Sequence, residues 1–152
     1  TNASQDVFRL EKMTIHSELV RVNAAVVRAR HRLACGEPEK ALEVATKAGA
    51  IAENASIASL VREAHAVAFL ARMRGPEGYA SSDVDTLRRF YDEALNEGHA
   101  RQQPLLGACL ANALVHQGQW DEARVLVETV ASAVELDQAT PGLRLAMVAG
   151  VD

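Results

Sequence analysis

The sequence is poor in aromatic residues, proline and glycine, and these shortages narrow the choice of fold. Aromatic side chains make up 4% of a chain that is 49% hydrophobic, so Ala, Leu and Val supply most of the apolar content. Only 4 Pro and 9 Gly interrupt its 152 residues. Sheet proteins usually carry more aromatic residues, whereas Ala and Leu favour helices. The composition therefore predicts one all-α domain, residues 1–152, whose helices pack closely through small side chains.

Cysteine and long apolar runs are also scarce. Cys35 and Cys109 belong to no Cys-X-X-Cys or Cys/His array, so we expect two buried free thiols in a reducing, cytoplasmic compartment. No apolar run approaches the ~20 residues of a membrane span, and we expect no membrane partner. The chain lacks an initiator Met and ends soon after a helix-start signal. We therefore expect a fragment of a larger protein.

The charge balance disfavours nucleic-acid binding. Lys and Arg number 16 against 20 Asp and Glu, a net charge of −4, which is unfavourable near a phosphate backbone. The balance is uneven, because residues 1–35 hold six basic and three acidic side chains, while 117–152 hold two and six. The densest basic patch, residues 28–32, has no interleaved aromatics, so a solvated face or an interdomain contact is the better interpretation.

Helical periodicity dominates the chain. Apolar residues recur at i, i+3, i+4 and i+7 in seven segments: 14–35, 38–54, 57–74, 83–97, 104–117, 119–136 and 141–150. No segment has a clear period of two. Residues 1–13 fit a short helix packed at the end.

Turn-forming residues divide these segments. Gly36 and Gly118 suit the left-handed position just past a helix end, and Pro38 suits the first position of the next helix. Ser81-Ser82-Asp83 offers a cap for the helix over 83–97, and Thr140-Pro141 is a further start signal.

The turns recur along the chain. Gly36, Gly75 and Gly118 each follow the first helix of a pair, and they are 39 and 43 residues apart. Residues 76–82 read as an insertion of about seven residues in the middle turn. A period in this range with two helices per unit is typical of an α-solenoid. The predicted repeats are residues 22–54, 57–97 and 104–136.

These residues resemble the tetratricopeptide repeat (TPR) family over about residues 20–136. In the first repeat, the small-residue and turn positions of the family fall on Ala29, Gly36, Ala41 and Ala48; in the last, they fall on Ala111, Gly118, Ala123 and Val130. The resemblance implies an α-solenoid of about three antiparallel TPR-like helix hairpins plus terminal helices. The usual aromatic near the start of the first helix and the closing Pro are missing, so the repeats are degenerate.

The stretch over residues 32–42 is similar in particular to the repeat region of large bacterial LuxR-type regulators of the maltose-activator kind. In that family a helical sensor lies between an ATPase module and a DNA-binding helix-turn-helix. The resemblance implies a sensor or interaction region of a transcription regulator, with a protein, peptide or small effector as partner and no direct contact to nucleic acid.

Catalytic motifs are not visible. The sequence has no GxxxxGK[ST], GxGxxG, GxSxG or HExxH, and its five histidines form no metal-ligand motif. We therefore expect no catalytic residue, no metal and no cofactor.

The predicted binding surface is the concave side of the solenoid, which the first helix of each pair would line. Mixed Arg, His and Asn side chains with one aromatic suit an extended or helical peptide, or an anionic effector. By the resemblance, this surface consists of Asn23, Arg30, Arg62, His65, Phe69, Arg72, Asn112 and His116. The alternative for Phe69 is a place in the core.

Three other functions stay open. The chain could be a general assembly or scaffold TPR protein. It could be an enzyme subunit for an anionic substrate, if His65 or His116 met a carboxylate. Two copies could also pair through the exposed ends of the solenoid, forming a homodimer.

Overall fold

In the computed structural model, residues 2–137 are described, and within that range the chain forms six α-helices and no strand. The all-α class is confirmed. The predicted helix over 141–150 and its Thr140-Pro141 start lie outside the described residues. None of the six helices combines the length and the apolar character needed to cross a membrane. They are α1 (Asn2–Ala34), α2 (Pro38–Asn54), α3 (Ala58–Arg74), α4 (Ser82–Asn96), α5 (Gln102–His116) and α6 (Trp120–Asp137).

The first helix is longer than the periodicity indicated. Residues 2–13 do not form a separate short helix packed at the end, but continue directly into α1, which has 33 residues. Neither Pro nor Gly occurs before Gly36, so nothing in the sequence interrupts the helix. The side chains of residues 4–13 are exposed, and Leu19 is the first of the described side chains of α1 that packs against the core.

Four helices end in the same way. The backbone N–H three residues past the end of the helix donates to the carbonyl five residues earlier, closing a Schellman-type turn. The residue directly before the donor adopts the left-handed backbone conformation. This was predicted for Gly36 (φ 74°) and Gly118 (φ 76°), and it is also found for Gly98 (φ 68°) and Ser56 (φ 56°). The donor–acceptor pairs are Glu37–Arg32, Ile57–Ala52, His99–Ala94 and Gln119–Leu114, at 2.9 to 3.0 Å.

The start of α4 differs from the expected cap. Ser81 is the N-cap residue, but its side chain makes no capping hydrogen bond. Instead the Asp83 carboxylate accepts a hydrogen bond from the Ala80 backbone N–H at 3.0 Å. The left-handed glycine of this connection is Gly78 (φ 69°).

The chain divides into two compact units, residues 1–71 and 72–152, with the boundary in the last turn of α3. In the first unit, valine and alanine side chains of α1, α2 and α3 form the core. A smaller cluster joins Leu33 near the end of α1, Ala41 near the start of α2 and Ala71 near the end of α3. Therefore α2 runs antiparallel to both neighbours, and α1 and α3 run parallel.

The second unit contains α4, α5 and α6. The Gln103 side-chain amide, at the start of α5, donates to the Ala94 carbonyl near the end of α4 (3.3 Å). The Gln117 amide, just past the end of α5, donates to the Ser81 carbonyl before α4 (3.4 Å). The two helices are therefore antiparallel. Gly107 of α5 lies between Val130 of α6 and Tyr91 of α4.

A matching ion pair occurs in each unit. The Arg30 guanidinium on α1 donates to the Glu63 carboxylate on α3 at 2.7 Å, 33 residues on. The Arg88 guanidinium on α4 donates to Glu122 on α6, 34 residues on. Each pair links a helix to the next helix but one, so the two units share the same local three-helix pattern.

Candidate functional site

The predicted residues of α1 lie at the surface. Asn23 and Arg30 are both exposed. Arg30 forms an ion pair with Glu63, so its charge is partly neutralised within the first unit.

The predicted residues of α3 are mostly covered. Arg62 and Phe69 are both fully buried, and His65 is half-buried. Phe69 thus belongs to the core, as the alternative held. The reason is that α3 buries two opposite stripes. At 100° per residue, Leu60, Ala64, Val67 and Ala71 form one stripe, and Arg62, Ala66 and Phe69 form the other. Neither buried side chain can contribute to an exposed groove in this conformation.

Arg72 lies in a polar cluster around the loop that connects α3 to α4. Its guanidinium donates two hydrogen bonds to the Asp83 carboxylate, at 3.1 and 2.7 Å. The side chains are 19% and 6% exposed, respectively. A bidentate pair of this kind is strongly directional and is little screened when partly buried.

This ion pair fixes the shape of the loop over residues 75–81. The Gly78 N–H donates to the Arg72 carbonyl at 3.1 Å, and the Ala80 N–H donates to Asp83. Both halves of the loop are therefore tied to the same pair of residues.

The loop presents Tyr79 to the end of α5. The Tyr79 ring stacks on the His116 imidazole, with 5.7 Å between ring centroids and 16° between planes. The tyrosine is half-buried and the histidine is exposed. Gln117 completes the arrangement by donating its side-chain amide to the Ser81 carbonyl. We call Arg72, Tyr79, Asp83, His116 and Gln117 the loop cluster.

The Tyr79 hydroxyl group lies inside the protein, beside the Gln117 amide. Its oxygen is buried, and no described atom meets hydrogen-bond geometry with it. Burial raises the pKa of the Tyr79 phenol; the nearby Gln117 amide opposes this shift, and the Asp83 carboxylate adds to it. The group is thus a neutral phenol at physiological pH, able to donate one hydrogen bond and accept another.

Asn112 completes the predicted set. It is half-buried on α5, and it lies one turn before His116, so the two share a helix face. In the second unit, the loop cluster brings Arg72 and His116 to the same loop, and Asn112 lies one turn away.

Comparison of the chain with protein-family models, with curated proteins and with solved structures finds no match.

The sequence pattern indicated no binding role for three members of the loop cluster, although it marked Asp83 as part of a helix cap. Tyr79, Asp83 and Gln117 lie in or beside what reads as an insertion and a turn, where no periodicity assigns a direction to a side chain. One signal was present, since an aromatic residue inside a polar, glycine-containing loop often has a packing partner.

A second side-chain pair was also missed. The His31 Nε2 and Cys35 Sγ atoms are 3.6 Å apart, one turn apart on the chain. Cys35 is exposed, so the expectation of two buried thiols is wrong for it and confirmed for Cys109. Cys35 follows the end of α1, where the chain leaves the core. Among the described residues, no group of three or more His, Cys, Asp and Glu side chains could hold a metal ion.

The loop cluster offers an exposed imidazole stacked on a tyrosine ring and an exposed side-chain amide. These groups can hold a ligand by stacking and hydrogen bonding. Since Arg72 is already paired with Asp83, the cluster has little net charge for a strongly anionic ligand.

Proposed function

We propose that this chain is a TPR-like helical-repeat module that binds a protein or peptide partner, or a small effector, without catalysing a reaction. The observation that carries the proposal is the spacing of alternate helices: an Arg–Glu pair spans 33 residues from α1 to α3 in one unit and 34 residues from α4 to α6 in the other. A repeat of this length with two helices per unit is characteristic of tetratricopeptide arrays. The α-solenoid arrangement of the whole chain is part of this proposal.

Small residues at helix contacts support it further. The buried stripe of α2 consists of Ala41, Ala45, Ala48 and Ala52. Gly107 of α5 lies directly against Tyr91 of α4 and Val130 of α6. Small side chains at such positions let helices pack closely. Repeated close packing of hairpins is what builds a solenoid.

The loop cluster is the binding site that we assign to this function. A peptide carbonyl fits the exposed Gln117 amide, which can donate a hydrogen bond. The exposed ring of His116, stacked on Tyr79, gives a flat surface for an apolar side chain of the ligand. These features favour an uncharged segment of a polypeptide over an anionic effector.

The setting that we propose is the sensor region of a bacterial LuxR-type transcription regulator in the cytoplasm. Its support is the turn over residues 32–42, in which Gly36 adopts the left-handed conformation and Pro38 begins α2. Such turns occur in many helical repeats, so this part of the proposal depends on the resemblance. The sequence of the intact gene tests it, because an adjacent ATPase or helix-turn-helix region is required.

Binding is tested with a random peptide display library selected against the purified chain. Enriched peptides are then measured against the Tyr79→Ala, His116→Ala double variant by fluorescence anisotropy. We expect at least a tenfold loss of affinity, about 1.4 kcal/mol. The matched control is Trp120→Ala, an exposed aromatic outside the loop cluster, which should leave affinity unchanged.

Two outcomes would contradict the proposal. One is a selection that enriches no peptide above background. The other is a set of peptides that bind the double variant as tightly as the parent, with circular dichroism confirming that both are folded.

A further inference from the structure

The outer face of α1 carries a second apolar stripe, on the side opposite to its core stripe. Leu10, Met13, Val20 and Val27 are 62%, 62%, 54% and 65% exposed. Ser17, Ala24, His31 and Ala34 complete the line and are exposed as well. We call these eight residues the outer seam.

The spacing along the outer seam alternates strictly between three and four residues from Leu10 to Ala34. That is the spacing of the a and d positions of a coiled coil, in which a second helix supercoils along the seam. Apolar residues fill six of the eight positions, and Ser17 and His31 fill two of the a positions. Isolated exposed apolar residues are ordinary on protein surfaces. Four large ones on a single heptad line over the 18 residues from Leu10 to Val27 are not explained by the fold, because the core stripe of α1, with Val22, Val26 and Ala29, faces about 180° away.

The side chains that flank the outer seam are basic. In heptad terms, Arg9, His16 and Arg30 occupy g positions, and Arg21 and Arg28 occupy e positions. Residues at e and g face the partner helix and select it by charge. Glu11 and Glu18 lie on the far side of the helix, and Glu18 pairs with Arg21 at 3.0 Å. Because Arg30 is also paired, with Glu63 at 2.7 Å, the net positive charge of the flanks comes from Arg9 and Arg28.

We propose that the outer seam of α1 binds an amphipathic helix whose own apolar heptads are flanked by acidic residues. Basic flanks on both sides oppose pairing with the same seam of a second copy, since arginines would then face arginines. An acidic partner helix places Glu or Asp opposite Arg21 and Arg28, and places apolar side chains against Met13, Val20 and Val27. This surface belongs to the first unit and does not depend on the loop cluster.

The test uses two synthetic 21-residue peptides, each with three heptads and Leu at a and d. One carries Glu at e and g, and the other carries Lys. Binding of the labelled peptides to the purified chain is measured by fluorescence anisotropy. We expect the Glu peptide to bind at least tenfold more tightly than the Lys peptide, and its affinity to fall as salt screens the flanking charges. This preference is the reverse of what the net charge of −4 would produce by itself.

Three variants sharpen the result. Val20→Asp with Val27→Asp should weaken binding of the Glu peptide at least tenfold. Val125→Asp, at an exposed valine of α6, is the matched control and should not. Arg21→Glu with Arg28→Glu should invert the preference, so that the Lys peptide binds more tightly.

The proposal is overturned if the two peptides bind equally, if neither binds, or if the Val20→Asp, Val27→Asp variant binds as the parent does. It is also overturned if sedimentation detects a dimer of the chain that this variant dissociates. In that case the seam is occupied by a second copy and not by an acidic helix.

Discussion

The guanidinium of Arg72 donates two hydrogen bonds to the carboxylate of Asp83, and this pair joins the two ends of the loop between α3 and α4. The loop between them holds Tyr79 against His116. An ion pair between residues eleven positions apart thus determines where the Tyr79 ring lies relative to His116.

Removing the Arg72 side chain should therefore destabilise the protein. Arg72→Ala leaves the Asp83 carboxylate largely buried without its charged partner, and such a change typically costs about 3 kcal/mol. The free energy of unfolding from urea titration measures it. Arg124→Ala, whose exposed side chain approaches Asp121 at 3.7 Å, should cost less than about 0.5 kcal/mol. Equal losses in the two variants would show that the Arg72–Asp83 pair has no special role.

Gly107→Ala should destabilise by direct overlap. A Cβ atom at this position would lie 2.5 Å from Val130 Cγ2 and 3.2 Å from Tyr91 Cε2. Overpacking of this kind costs about 1–3 kcal/mol. Thermal and urea unfolding measure the loss. If the overlap is the cause, the same substitution in a Val130→Ala background should cost much less, and an unchanged cost there would refute this explanation.

Two other glycines should respond in opposite directions to alanine. Gly49 lies inside α2, and its added Cβ would be 3.6 Å from Ala64 Cβ, an ordinary contact. Gly49→Ala should stabilise by about 0.5–1 kcal/mol through helix propensity. Gly118 has φ 76° and open space around it, so Gly118→Ala should destabilise by about 1 kcal/mol through the backbone alone. A shift of the same sign in both melting temperatures would contradict this contrast.

The Glu37 carboxylate should contribute to the pH dependence of stability. Hydrogen bonds from Lys40 and then Arg32 lower the pKa of Glu37 from 4.5 to about 2. Since the folded pKa is the lower one, the stabilisation is fully present above pH 4.5 and is lost as the pH falls toward 2. Glu37→Gln should therefore lower the free energy of unfolding at pH 6, and the difference from the parent should vanish near pH 2. An NMR titration midpoint near 4.5 for Glu37 would contradict the shift.

Local signals in the sequence were enough to locate most helices. Gly36, Gly118 and Pro38 each act within one turn of the chain, and each was found in its predicted conformation or position. Such signals depend on backbone sterics, which hold regardless of the surrounding fold. The length of α1 was underestimated because the side chains of residues 4–13 are exposed, so the apolar residues there do not continue the core stripe.

Side-chain environments were harder to predict than helices. For α3, the repeat pattern assigned Arg62 and Phe69 to an exposed face, yet the helix buries two opposite stripes, and periodicity cannot rank one stripe over the other. The contact between Tyr79 and His116 joins residues 37 positions apart. No local rule relates them, because their meeting depends on how a loop folds back on the end of α5.

The length of α1 has a consequence for experiments on this protein. At 1.5 Å per residue, its 33 residues extend about 50 Å, and none of the described side chains from Ser4 to Ser17 is buried. Backbone amides there depend on helix propensity alone, so deuterium should replace their protons far sooner than in the part of α1 that follows Leu19. If a partner helix binds the outer seam, hydrogen–deuterium exchange in the first half of α1 should slow. This measurement would detect binding without any label on the protein.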